Sequence, residues 1–118
     1  MAITVKKTLG SEWYTPASEK ESEEPARFKL KDLNREQLDD AMNGAMMDDK
    51  GSFRLSPQGT RSALKNGIEE WEGVEDESGE KLKCTFVNHR YLPWQLGQEL
   101  AAEIVTKAML GDPEEKNS

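Results

Sequence analysis

The chain has 118 residues, enough for one domain, and its 16 Lys and Arg against 23 Asp and Glu give a net charge of −7. That balance, with no basic stripe, excludes a nucleic-acid binder, which needs a local surplus of cations to neutralise phosphates. Leu, Ile, Val and Phe supply only 21 of the 118 residues, a level at which charged chains tend toward disorder, so the expected core is small and gains stability from partners.

No apolar run approaches the roughly 20 residues of a membrane span, and the N-terminus has no hydrophobic signal core, so the expected compartment is the cytoplasm, with no membrane partner. The single cysteine, Cys84, excludes an internal disulfide.

In chain order, residues 3–9 nearly alternate branched and polar side chains and predict a first β-strand. The acidic run from about 16 to 25 has no periodicity and predicts a mobile loop. Residues 26–33 place Phe28 and Leu30 against Arg27, Lys29 and Lys31, the period of a second strand. Asn34 and Gln37 form a capping-box pair, with Leu33 and Leu38 at the positions of a hydrophobic staple. Leu38, Ala41, Met42, Ala45 and Met46 then recur at helical spacing, predicting a helix over 35–47 that Gly44 weakens.

Residues 48–52 predict a turn, and Ser56-Pro57 opens a second helix expected to run to about Glu72, burying Leu64, Ile68 and Trp71. Between Glu72 and Glu80 five carboxylates and two glycines predict an exposed turn, followed by a short irregular or extended piece over 81–87. Leu92-Pro93 opens the last and longest helix, whose line of Leu96, Leu100, Ile104 and Ala108, with Ala101, Val105 and Met109 beside it, faces the core. Gly111 and Pro113 would stop it. The reading is an α+β domain over 1–111, short N-terminal β-strands followed by three α-helices, with a disordered tail over 112–118.

No catalytic, cofactor or metal site is expected. Cys84 and His89 lack an orienting third group, and their plain reading is a partly buried thiol and a surface histidine. One cysteine and one histidine cannot build a typical zinc site. A calcium loop ending its sharp turn at Gly51 would need Met46 as its first ligand. Glu99 and Glu103, one helical turn apart, read as a solvated helix face. Gly59 and Gly67 are isolated, and neither precedes the Lys-Ser or Lys-Thr of a phosphate loop. Met42 and Met46 belong on the core stripe, whereas Met47 lies off it and is a candidate for partner binding; Trp94, Trp13 and Tyr14 are candidates too, their spacing fitting core anchors and interface anchors alike.

Read as a whole, Trp13-Tyr14-Thr15-Pro16-Ala17-Ser18, the charged loop, Ala26-Arg27-Phe28-Lys29-Leu30 and Leu33 resemble the tail assembly chaperones of long-tailed bacteriophages and prophages. The resemblance continues through Leu55-Ser56, Gly67-Ile68, Trp71-Glu72, Leu92-Pro93, Leu100-Ala101-Ala102-Glu103-Ile104 and the Glu114-Glu115-Lys116-Asn117-Ser118 end. It implies a non-enzymatic protein of the bacterial host's cytoplasm that binds and solubilises the helical tape measure protein while the tail tube polymerises, with the tail tube protein as a further partner. A surface that accepts apolar helices also predicts self-association, with hydrophobic contact dominating charge. The competing expectation is a small structural protein, for tail completion or head–tail joining, retained in the virion.

Overall fold

A computed structural model describes residues 2–3 and 10–110. In chain order it comprises β1 (Ser11–Tyr14), β2 (Arg27–Lys31), α1 (Arg35–Met42), β3 (Met46–Met47), β4 (Phe53–Arg54), α2 (Pro57–Gly67), β5 (Ile68–Glu72) and α3 (Trp94–Leu110). Short 3-10 turns occupy Ala17–Glu19 and Val87–Tyr91. The architecture is α+β, with three helices of which the last is longest. Most of the strand expected over 3–9, the Gly111 and Pro113 stop, and the tail over 112–118 lie outside the described residues.

β2 is the centre of an antiparallel sheet ordered β1-β2-β5. Its alternation puts Phe28 and Leu30 into the core and Arg27, Lys29 and Lys31 towards the rim, as the sequence pattern requires. β1 follows the predicted strand instead of coinciding with it. Ser-Glu-Trp-Tyr carries no apolar alternation, since Trp13 packs on the outer face under the Arg27 guanidinium, 5.1 Å from its ring centroid. Beyond β1, the segment expected to be a mobile acidic loop is tied at both ends. Pro16 is fully buried, and the Glu19 carboxylate accepts the Ala26 N–H at 2.9 Å.

The second predicted helix is two elements. α2 stops at Gly67, and Ile68–Glu72 turns into β5, which pairs with β2. Phe28 pairs with Trp71 and Lys29 with Glu70, but Leu30 pairs with Ile68, so Glu69 is an extra residue in a β-bulge. In a regular strand, side chains three apart face opposite sides. The bulge turns Ile68 and Trp71 to the same side, and both are buried. Their spacing imitates a helix stripe for that reason.

The first predicted helix also ends early, at Met42. Gly44 follows with φ of +78°, a left-handed conformation open to glycine, and turns the chain away. Met46 and Met47 then pair with Phe53 and Arg54 in a small hairpin, so Met46 is 74 % exposed instead of lying on a core stripe. Met42 packs partly against the core, as do Leu38 and Leu96. The hairpin closes on the Asp48 carboxylate, which accepts the Lys50 and Ser52 N–H groups at 2.9 Å, with Gly51 at φ +85°. Asp76 and Gly79 repeat the device over residues 76–80. There the carboxylate accepts from Ser78 and Glu80, and Leu82 N–H returns to the Val74 carbonyl.

The helix entries are as expected. Asn34 and Gln37 form the reciprocal capping box. The Ser56 hydroxyl accepts the Gly59 N–H and donates to the Asn43 carbonyl, tying the start of α2 to the end of α1. α2 lies between α1 and α3. It approaches them through its two glycines: a Cβ on Gly59 would collide with the Ala41 carbonyl of α1, and one on Gly67 would sit 2.6 Å from Ile104 Cγ2 of α3. Around these contacts Phe28, Leu30, Leu64, Ile68, Trp71, Leu100, Ile104 and Val105 form the core.

Candidate partner-binding surface

The four side chains singled out for partner binding stand on three elements. Met47, on β3, is 69 % exposed, and Trp94, the first residue of α3, is 74 % exposed. Trp13 is partly covered by Arg27 on the outer face of the sheet. Tyr14 faces the opposite side and is engaged internally, its hydroxyl donating to Glu99 Oε2 at 2.6 Å. Burial, the Glu99 hydrogen bond and the Glu99 charge together push the phenol's pKa well above its ordinary value. Glu99 also accepts the Ala17 N–H at 3.0 Å. Of the Glu99 and Glu103 pair, then, the first is a fastener between α3 and β1, and the second is exposed.

His89 is half-buried, a correction to its reading as a surface residue. Its ring packs against Trp71 at 5.7 Å and against the edge of Phe86 at 5.9 Å. Burial lowers its pKa, and burial followed by the Glu70 charge raises that of Cys84. Both shifts favour the neutral forms, the reverse of the thiolate and imidazolium of an activated pair.

A concavity of about 1040 Å³ lies beside the Tyr14–Glu99 fastener. Val74, Leu82, Leu92 and Leu96, over the buried Phe28, line it together with Glu19, Glu75, Asp76, Glu77 and Glu99. The 76–80 turn supplies one side, held by the Asp76 hydrogen bonds. The Ser78 hydroxyl, first among them, lowers the Asp76 pKa and keeps it ionised. The Trp71 indole N–H fixes the return strand by donating to the Leu82 carbonyl at 2.8 Å. The other side is the entry of α3, with Tyr91 exposed at its edge. In the sequence these residues show only as an acidic turn and a helix start. The Asp-x-x-Gly spacing of Asp76 and Gly79 is the local signal that a hairpin stands there.

Compared with family models, curated proteins and solved structures, the chain matches none. No helix among the described residues is long and apolar enough to cross a membrane.

Proposed function

We propose that this chain is a tail assembly chaperone of a long-tailed phage or prophage, acting without catalysis in the host cytoplasm. It covers apolar faces of the tape measure protein while the tail tube forms around it. A long helical chain with bare apolar faces aggregates unless something occupies them, and a small acidic protein binding in many copies would both cover and solubilise it.

The observation that carries the reading is how much large apolar side chain this lean sequence leaves in solvent. Met46 and Met47 project from their hairpin, Tyr91 and Trp94 stand at the entry of α3, and Met109 and Leu110 are exposed at its end. A chain with so few large apolar residues keeps them outside at a cost to its core, and flexible methionines beside aromatic anchors suit contact with varied helix faces.

Co-expression with the tape measure protein encoded nearby is the test. The partner is expected to stay soluble and to co-purify with this chain at moderate salt, because contact with the exposed methionines and aromatics is mainly hydrophobic. If the partner is equally soluble without this chain and the two never co-purify, the reading fails. The chain would then be sought in purified particles as a virion component.

A further inference from the structure

We propose that the groove between the 73–82 hairpin and the start of α3 is a docking site for a basic amphipathic helix of a partner protein. The proposal rests on the chaperone reading only in taking the partner to be a helical protein. It adds where that helix sits and what chemistry it carries.

Three observations converge on it. The groove's volume, about 1040 Å³, is of the same order as two turns of a helix about 10–12 Å wide with a 5.4 Å pitch, roughly 850 to 1,200 Å³. Its lining includes the half-buried Val74, Leu82, Leu92 and Leu96, which would take the Leu or Met side chains that a helix presents on one face. Its walls carry one sign of charge: five carboxylates line it, and among the described residues no Lys or Arg does. Lys81, opposite Glu75 across the hairpin, lies outside the lining. Glu75 and Glu77 are exposed at the rim, placed to meet cations flanking an apolar stripe. Glu19, Asp76 and Glu99 already accept hydrogen bonds within the chain, so the selection for a cationic helix over an acidic or plain apolar one falls to the exposed Glu75 and Glu77.

The experiment uses the whole chain and three fluorescent synthetic helices of equal length. One carries Leu on one face and Lys on the other, one replaces its Leu by Ser, and one replaces its Lys by Glu. The Leu/Lys helix alone is expected to bind, with amide shift changes at Val74, Leu82 and Leu96. The double variant Glu75→Lys, Glu77→Lys should weaken that binding roughly tenfold at low salt, the scale of two exposed charge contacts reversed, while its melting temperature stays at the parent's.

Binding of the Ser/Lys helix as tightly would reduce the site to charge attraction, and equal binding of the Leu/Glu helix would reduce it to general stickiness. Either result overturns the proposal. So does failure of all three helices, including the case in which a dimer dissociates on making the double variant, which would assign the groove to a second copy of this chain. The tape measure co-purification is read separately, so each reading can fail without the other.

Discussion

Tyr14 of β1 donates its phenol proton to Glu99 of α3 at 2.6 Å, across 85 positions of sequence. Two positions earlier, Glu12 reaches Lys107 at 3.2 Å, so the edge strand is fastened along α3 by two polar contacts. The fastener also frames one end of the acidic groove.

Replacing Tyr14 with Phe should cost about 1 to 2 kcal/mol, the range for a partly exposed hydrogen bond to a charged group. Its pH dependence has a definite sign. The folded-state pKa lies above the ordinary 10.0, so the bond's contribution is whole below that value and is lost as pH rises through the raised folded value. Melting temperatures of parent and Tyr14→Phe, compared from about pH 8 to pH 11, should differ by a constant amount at first and converge only at the alkaline end. A difference that shrinks from pH 8 upward contradicts this account.

Leu100 and Ile104 are almost completely buried, one helical turn apart on α3. Truncating either to Ala should cost roughly 2 to 5 kcal/mol, a large share of a total near 5 to 15 kcal/mol for a small domain. Urea titration of each variant measures it. Midpoints equal to the parent's would mean that α3 does not close the core.

Gly67→Ala should also destabilise, although alanine is the better helix former. The gain in helix propensity, about 1 kcal/mol, is outweighed because the new methyl would sit 2.6 Å from Ile104 Cγ2, and such overpacking costs roughly 1 to 3 kcal/mol. In an Ile104→Ala background all three obstructing atoms, Cγ2, Cδ1 and Cγ1, are gone, so there Gly67→Ala should lower the melting temperature far less than in the parent, and an equal loss in both backgrounds would refute the packing explanation.

Trp94→Ala and Met47→Ala should leave stability within about 0.5 kcal/mol of the parent, because both side chains stand mostly in solvent. On the chaperone reading the same changes reduce co-purified tape measure protein. Thermal melts and pull-downs of the pair separate the two effects. Unchanged recovery would remove these residues from the binding surface.

The sequence by itself determined the parts of this protein that close over a few residues. The Asn34–Gln37 capping box, the Ser56-Pro57 helix entry and the Leu100–Ile104 line of α3 are contacts within one turn of chain, so residue type and spacing specify them. Helical spacing placed Met46 inside and Met47 outside, but both project from a hairpin, and only the folded chain decided that Trp94 stands in solvent. Only the tertiary structure decided β5, the Met46–Met47 hairpin, the use of Tyr14 and the groove. Ile68 and Trp71 show the reason: their three-residue spacing fits a helix face and a bulged strand equally well, and pairing with Leu30 and Phe28 on β2 selects the strand. The groove likewise joins Phe28, Val74, Leu82 and Leu96 from segments distant in sequence. Local preference cannot express such pairings, because the free energy that selects them comes from surface buried between distant segments.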